Sequence, residues 1–269
     1  LGASFSDVPD KTLAWQDLDR LTQDDDRDVR YRAAVALGAS FSDVPNKTLA
    51  WQDLDRLTQD DDSDVRYRAA DALGASFSDV PDKTLAWQDL IRLTQDDDRD
   101  VRYRAAVALR DAFSHVPNKT LAWQDLHRLT QDDDSFVRRG AADALGASFS
   151  DVPNKTLAWQ DLDRLTQDDD SDVRYRAADA LGASFSDVPD KTLAWQDLIR
   201  LTQDDDRDVR YRAAVALRDA FSHVPNKTLA WQDLHRLTQD DDSFVRRGAA
   251  DALGASFSDV PNKTLAWQD

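Results

Sequence analysis

Runs of aspartate are the residues of this sequence with the clearest potential for chemistry. Three consecutive aspartates recur along the chain, first at Asp24–Asp26, and in five of the seven full repeats a fourth follows two residues later, first Asp28. Carboxylates at this density could bind Ca²⁺, but an EF-hand loop needs Gly at its sixth position and Glu at its twelfth. Counted from Asp24, this chain has Val29 and Val35 there. We therefore expect the aspartates to cap helices, with weak divalent-cation binding as the alternative.

The other reactive side chains do not form a catalytic arrangement. Cysteine and glutamate are absent, which excludes a cysteine nucleophile and thiolate ligands. No serine lies in a Gly-x-Ser-x-Gly motif, and the eight glycines are isolated. Histidines occur in two pairs with 12-residue spacing, which is unsuited to a metal site, namely His115, His127, His223 and His235. We expect no catalytic residue, no metal and no cofactor.

The strongly acidic balance restricts the kinds of partner. The 269 residues include 52 acidic and 34 basic side chains, which gives a net charge of −18. Nucleic acids and anionic lipids attract basic surfaces, so we expect neither as a partner. No apolar run has the length of a membrane span, and no signal peptide is visible. For a natural chain, these features predict a cytoplasmic location.

A 36-residue internal repeat organises the whole chain. The segment KTLAWQDL begins at Lys11 and recurs at that interval through Lys227, and its first seven residues recur once more at Lys263. The units are residues 1–36, 37–72, 73–108, 109–144, 145–180, 181–216 and 217–252, followed by a partial unit, 253–269. Residues 37–144 recur without a change as 145–252. Such identity indicates either a very recent duplication or a synthetic gene, and we favour the synthetic gene.

Each unit has the pattern of two helices. Pro9 ends one helix, and the Asp or Asn that follows, first Asp10, is a favourable N-cap for the next. We expect helix A to run to about Gln23, with Trp15 packed between helices. We expect helix B to start in the aspartate turn and to run to about Val44. Because two helices cannot bury their apolar faces alone, neighbouring units must stack.

The second helix of each unit resembles that of a HEAT repeat. The resemblance rests on Asp26–Arg30 leading into Ala33–Gly38, and it covers all seven full units. It is closest to the short HEAT-like repeats of phycobilisome-lyase-like proteins, although the 36-residue period is longer and Trp15–Asp17 departs from them. The resemblance implies one all-α domain over residues 1–269. Its implied fold is a right-handed α–α superhelix, a HEAT-like α-solenoid of seven two-helix repeats plus a partial eighth, with the second helices lining the concave face.

One arginine in each unit lies on the apolar side of helix B, where a charge needs a partner. In HEAT repeats, the corresponding arginine and aspartate form a ladder between neighbouring units. The resemblance implies the same structural ladder here, and anion binding is the alternative. The ladder arginines are Arg30, Arg66, Arg102, Arg138, Arg174, Arg210 and Arg246.

Differences between the copies concentrate on one side of helix B, in an arc of roughly 160°. Val35 in one unit is replaced by Asp71 in the next, so this arc cannot be core and is expected to face solvent. It is either an exposed face that has drifted or a recognition surface, since Tyr and Arg are common at interface hot spots. The candidate partner-binding residues are Tyr67, Arg68, Asp71, Asp100, Tyr103, Arg104, Val107, Phe136, Arg139, Asp143, Tyr175, Arg176, Tyr211, Arg212, Phe244 and Arg247.

Helix A varies at a single position, which is occupied by Asp19, Asp55, Ile91 or His127 in successive units. A fully exposed helix would vary at more positions if the copies had drifted. We therefore interpret the constant polar residues of helix A, including Asp17, as a result of copying rather than of packing.

These features favour a non-catalytic repeat scaffold or protein-binding module that presents the variable face of helix B. A natural chain would bind a protein or peptide on the concave face, whereas a designed chain need have no natural partner. The alternative is self-assembly, because the partial helices at Leu1 and Asp269 lack polar caps and could stack head-to-tail. A lyase-like enzyme is disfavoured, because every part of the chain occurs at least twice and glutamate is absent.

Overall fold

A polar cap starts helix A of each repeat. In the computed structural model, which describes residues 10–256, the Asp10 carboxylate accepts hydrogen bonds from two backbone amides of the following turn. Asn46 caps the next helix A in the same way, through the amide of Leu49. The predicted N-caps are confirmed, whereas the first helix A ends at Leu21 rather than at Gln23. The A helices are α1 (Lys11–Leu21), α3 (Lys47–Leu57), α5 (Lys83–Leu93), α7 (Lys119–Leu129), α9 (Lys155–Leu165), α11 (Lys191–Leu201) and α13 (Lys227–Leu237).

Helix B starts in the aspartate turn, where Asp26 accepts hydrogen bonds from two amides of the first helical turn. The predicted end at Val44 is wrong, because α2 ends at Ser40 and Phe41–Asp43 form a tighter 3-10 turn. Val44 is extended, which suits a residue that precedes proline. The B helices are α2 (Arg27–Ser40), α4 (Ser63–Ser76), α6 (Arg99–Phe113), α8 (Ser135–Ser148), α10 (Ser171–Ser184), α12 (Arg207–Ala220) and α14 (Ser243–Ser256).

Aromatic side chains at the end of helix B and in helix A anchor the core. Burial of a phenylalanine contributes about 1.5–3 kcal/mol to stability. Trp87 packs edge-on between Phe77 and Phe113, with ring centres 6.5 and 6.0 Å apart. Trp15 and Trp123 are also buried, so the predicted packing of tryptophan between helices is confirmed for these residues. The fully buried phenylalanines are Phe41, Phe77, Phe113, Phe149, Phe185 and Phe221.

Neighbouring B helices approach each other closely through glycine. A Cβ atom built on Gly74 would lie 2.7 Å from the Cβ of Ala108 on the next B helix, which is closer than real Cβ atoms come. Between α6 and α8 the contact is inverted, because Gly140 on the later helix meets Ala106 on the earlier one. Each B–B interface within residues 10–256 has one such glycine, and these are Gly38, Gly74, Gly140, Gly146, Gly182 and Gly248.

The helices fall into two compact units, Leu1–Ala144 and Leu145–Asp269, with the boundary inside α8. Within each unit, A and B helices alternate as in an α-solenoid, and no strand occurs among residues 10–256. The all-α prediction is therefore confirmed. Over the same residues, no helix combines the length and apolar character needed to cross a bilayer. The half-helices predicted at Leu1 and Asp269 lie outside the described residues.

Candidate functional site

Within each compact unit, the variable side chains of the B helices form a row, here called the helix B ridge, which comprises repeat positions 27, 28, 31, 32 and 35. Three of the candidate residues are exposed, namely Asp100, Phe244 and Arg247. The others are partly buried: Tyr67, Arg68, Asp71, Tyr103, Arg104, Val107, Phe136, Arg139, Asp143, Tyr175, Arg176, Tyr211 and Arg212. The arc that we expect to face solvent is therefore exposed at these three positions and partly exposed at the others. Because the B helices approach so closely, their ridge side chains pack on one another.

Tyrosine–arginine pairs connect consecutive B helices along the ridge. The Nε of Arg68 donates a 2.7 Å hydrogen bond to the hydroxyl of Tyr31, and its guanidinium lies 5.1 Å from the centre of that ring. On the next helix, Arg104 lies 5.8 Å from the ring of Tyr67 and forms an ion pair with Asp71. In the second compact unit, Arg212 likewise lies over the ring of Tyr175 and forms an ion pair with Asp179. The ridge is thus internally paired, with one face of each side chain open.

An aromatic cluster interrupts this pattern once in each of the two compact units, in the repeat where phenylalanine replaces the aspartate of position 28. Phe136 packs edge-on against Tyr103 with ring centres 5.9 Å apart, and the guanidinium of Arg99 lies 4.3 Å from the Phe136 ring. Arg139 lies 4.9 Å from the Tyr103 ring. It stands one position before Gly140, so the tyrosine–arginine pair is kept while glycine provides the close approach. The second unit repeats the cluster with Arg207, Tyr211 and Phe244.

The ladder arginines join consecutive repeats at the aspartate turns. Arg66 forms a bidentate pair with the Asp96 carboxylate, at 2.7 and 2.8 Å, and contacts Asp97 at 2.8 Å. Its remaining amino group donates hydrogen bonds to the carbonyl oxygens of Asp60 and Asp61 in its own turn. One guanidinium therefore links two turns, which supports a structural role rather than anion binding.

The other ladder arginines vary this arrangement. Arg30 and Arg174 contact the first two aspartates of the following turn, as Arg66 does. Arg102 and Arg210 instead pair with the last aspartate of that turn, Asp134 and Asp242 respectively. Arg138 and Arg246 donate hydrogen bonds to carbonyl oxygens of their own turns, those of Asp132, Asp133, Asp240 and Asp241.

The ladder fixes the ionisation of its carboxylates. Burial by itself would raise the pKa of Asp96, but hydrogen bonds from Arg66 and from the amide of Asp98 outweigh burial and hold the pKa below its ordinary value. The same balance lowers the pKa of Asp60 and of Asp204. These carboxylates therefore remain charged until the pH falls below the ordinary carboxyl range.

The turn aspartates also accept hydrogen bonds from backbone amides. The carboxylate of Asp62 accepts hydrogen bonds from the amides of Asp64 and Val65, at 3.0 and 3.3 Å. Asp60 accepts one from the amide of Asp62. These contacts support the capping role expected for the aspartates. Among the described residues, no group of three or more His or Asp side chains is placed to hold a metal ion.

Two features of the packing escaped the sequence interpretation. Aspartate at repeat position 17 is a packed residue in some repeats, because Asp53 and Asp89 are 3% and 7% exposed and each pairs with an arginine one turn later. Attributing its constancy to copying alone was therefore wrong. The second feature concerns repeat positions 2 and 32, which in most repeats are glycine and arginine respectively. The two residues are exchanged where Arg110 and Gly140 occupy these positions. Their joint change was a readable sign of a shared contact.

Solved structures of importin type share this fold. A chain from a structure in which Kap95p binding induces the switch loops of RanGDP to adopt the GTP-bound conformation matches with a TM-score of 0.69 and 15% identity, covering 93% of this chain and 36% of that one. Importin beta, crystallised in a polyethylene glycol condition, matches with a TM-score of 0.69 and 18% identity, covering 94% and 38%. This chain thus spans little more than a third of either protein, and the likeness concerns the fold alone.

Sequence comparisons identify the family. No curated protein sequence matches the chain. An engineered protein of known structure is 26% identical over 88% of this chain and 67% of that one, with a TM-score of 0.48. A family model described as HEAT repeats matches residues 17–110 and 88–182, which together are more than half of the chain. The chain belongs to the HEAT-repeat family.

Proposed function

We propose that this chain is a non-catalytic repeat scaffold whose helix B ridge binds a protein or peptide. The observation that carries the proposal is where the copies differ. The helix B caps, the ladder arginines and the core phenylalanines are constant from repeat to repeat, whereas the ridge changes in size and charge. The caps of helix B, the ladder and the core are thus built from residues other than those of the ridge, which differs between the copies.

The composition of the ridge supports this proposal. Tyrosine and arginine are enriched at interface hot spots because they combine large contact area with hydrogen bonding. On the ridge they are held in place by their mutual contacts, so binding would immobilise few additional side chains. Phe244 is 41% exposed beside Arg207, and it offers an apolar anchor in an ordered setting. The Kap95p structure supplies a precedent for a HEAT-fold protein that engages a protein partner.

A designed scaffold without a natural partner is the second candidate. The observation that favours it is the unchanged recurrence of 108 residues, 37–144 as 145–252. In that case the ridge would still be a surface on which binding could be selected, because its side chains do not hold the caps or the ladder.

Peptide display against the full chain tests the proposal. Selected peptides should lose at least about fivefold in affinity for each hot-spot side chain removed when Tyr103, Phe136, Tyr211 and Phe244 are changed to alanine. The matched control changes Leu121 and Leu229, exposed leucines of the A helices, to alanine and should leave affinity unchanged. Circular dichroism checks that both variants remain helical. Peptides that bind the ridge variant as well as the parent would overturn the ridge assignment, and recovery of no peptide would favour the scaffold without a partner.

A further inference from the structure

Pairs of aspartates lie between consecutive A helices and share a single arginine. The guanidinium of Arg92 is 3.0 Å from the carboxylate of Asp89 on its own helix α5 and 3.5 Å from that of Asp55 on α3. Arg92 also donates a 2.8 Å hydrogen bond to the hydroxyl of Thr58. Two carboxyl groups, of which that of Asp89 is buried, thus face one positive charge, which leaves a negative charge uncompensated if both are ionised.

The same arrangement recurs in the second compact unit. Arg200 on α11 is 2.9 Å from Asp197 on its own helix and 3.6 Å from Asp163 on α9. It also donates a 3.0 Å hydrogen bond to the hydroxyl of Thr166. At the first contact of this kind, Asp53 on α3 pairs with Arg56 and faces Asp19 on α1.

Hydrogen-bond accounting shows that two of these contacts contain a buried carboxylate oxygen without a donor. The Oδ2 atoms of Asp53 and Asp89 are buried and accept no hydrogen bond, and the indole nitrogens of Trp51 and Trp159 are buried without an acceptor. Buried polar atoms are almost always paired, because an orphan loses its bonds to water without replacement. A proton held between two facing carboxyl groups supplies the missing donor.

Sequence differences within the chain provide an internal comparison. Where position 19 is isoleucine rather than aspartate, as at Ile91, the following Asp125 accepts a 3.0 Å hydrogen bond from the indole of Trp87. Trp195 and Asp233, which follow the same pattern around Ile199, make the identical contact at 3.0 Å. At these contacts, aspartate at position 19 brings a second carboxyl group to the aspartate of position 17, whereas isoleucine is found where that aspartate accepts a bond from an indole.

We propose that Asp19–Asp53, Asp55–Asp89 and Asp163–Asp197 are proton-sharing carboxyl pairs that make the packing of consecutive A helices sensitive to pH. When the pair holds a proton, the two helices are joined by a carboxyl–carboxylate hydrogen bond as well as by the arginine. When the pair loses its proton, two like charges remain at the contact and the helices repel each other there.

Ionisation of these groups sets the range over which the device works. Burial first, and the neighbouring Asp19 carboxyl in addition, raise the pKa of Asp53 to about 6 against the opposing effect of Arg56. Burial and Asp55 likewise raise the pKa of Asp89 to about 6 against Arg92. The pKa of Asp197 is raised by burial and by Asp163, against Arg200. Because the folded state binds these protons more tightly than the unfolded chain, stability from this source is present at low pH and is lost as the pH rises through about 6.

Replacing the varying member of each pair tests the proposal. In the full chain, Asp55→Ile together with Asp163→Ile installs residues that position 19 already carries at Ile91 and Ile199, so the fold should be retained. Thermal unfolding at about pH 5 and about pH 7.5 should show that the parent is more stable at the lower pH. In the variant, which loses two of the three pairs, the melting temperature at about pH 7.5 should rise, and the difference between the two pH values should shrink by about two thirds.

A charge-matched control separates the pairs from the overall charge. Asp79→Asn with Asp187→Asn removes the same two charges at exposed positions and should keep the pH difference of the parent. The reverse change, Ile91→Asp with Ile199→Asp, should enlarge the difference by creating two further pairs. Carboxyl ¹³C resonances report the protons directly, and a group of aspartates should titrate near pH 6 in the parent. Aspartates that all titrate near the ordinary value of about 4, or an isoleucine variant whose pH difference equals that of the asparagine control, would overturn the proposal.

Discussion

Arg66 shows how one side chain can hold two repeats together. It contacts two carboxylates of the next turn and two carbonyl oxygens of its own, and its side chain is 12% exposed. Chain reversal at each turn leaves carbonyl groups without helical partners, and the guanidinium supplies donors to them. The ion pair is therefore also a cap for the backbone, which explains why lysine could not replace this arginine without losing contacts.

Arg66→Ala should lower the free energy of unfolding by about 3–5 kcal/mol, because Asp96 would be left partly buried without its counterion. Urea denaturation followed by circular dichroism measures this loss. Arg27→Ala is the matched control. Its ion pair with Asp62 is largely exposed on the arginine side, at 65%, so we expect a much smaller loss than for Arg66→Ala. Equal losses for the two variants would contradict the structural weight given to the ladder.

Residue roles were predictable from the sequence where local chemistry determines them. Asp10 and Asn46 are capping residues because each follows proline and precedes an apolar helical stripe. The roles of Asp53 and Asp89 were not predictable, because a constant aspartate in nearly identical copies carries no sign of burial. The partners of these residues lie on another repeat, and contacts between repeats do not follow from the pattern of one.

At the scale of the helix, glycine determines how closely the B helices approach. Gly74 lies in the interior of the interface between α4 and α6, where glycine is a poor helix former. The gain in packing offsets that loss, because the backbones can approach until alanine contacts glycine. The ridge side chains are consequently pressed together, which accounts for the half-burial of Tyr67 and Arg104.

Gly74→Ala should destabilise the chain by about 1–3 kcal/mol, although alanine is the better helix former, because the added methyl group collides with Ala108. Gly254→Ala provides the control within the same sequence context. No atom lies within 4 Å of the position of its Cβ, so this change should stabilise helix α14 by roughly 0.5–1 kcal/mol. Chemical denaturation of the two variants should thus give effects of opposite sign. A stabilising effect of the Gly74 change would show that the interface has room to spare.

Helix identity was predictable from the sequence, whereas helix ends and exposure were less so. The 36-residue period and the proline–cap signals place every helix of residues 10–256 correctly. The end of helix B was placed too late, because Phe41 and Val44 continue the apolar spacing although the backbone changes to a 3-10 turn. The half-burial of the ridge does not follow from the sequence, because the replacement of Val35 by Asp71 shows only that this position is not in the core. Asp71 is instead half-buried, with Arg104 as its ion-pair partner.

On the scale of the whole molecule, each repeat carries both halves of one B–B contact. Position 2 supplies the residue at the end of the preceding helix, and position 32 supplies the residue on the repeat's own helix B. One of the two is glycine and the other is arginine in every full repeat from residue 37 onward. Removal of a repeat therefore leaves matched interfaces only if the cut preserves this combination.

Two deletions of 36 residues test this rule. Removing residues 73–108 keeps Arg110 with Gly140, and cooperative unfolding should be retained with little change in stability per repeat. Removing residues 91–126 instead places Gly74 opposite Gly140, and the unfilled space should cost about 1–3 kcal/mol. The denaturation midpoints of the two proteins provide the measurement. Identical midpoints would mean that the glycine–arginine combination does not matter to the array.

The pairing of positions 2 and 32 has a consequence for how such a gene can change length. Unequal recombination between near-identical copies adds or removes repeats, and a crossover within helix A separates the paired codons. A crossover between position 32 of one repeat and position 2 of the next leaves every pair intact. Each product therefore keeps the glycine–arginine combinations of the parent. The boundary between the two identical 108-residue blocks, at Ala144 and Leu145, lies within that stretch. An array of this kind can therefore lengthen by whole blocks without any new interface having to arise by mutation.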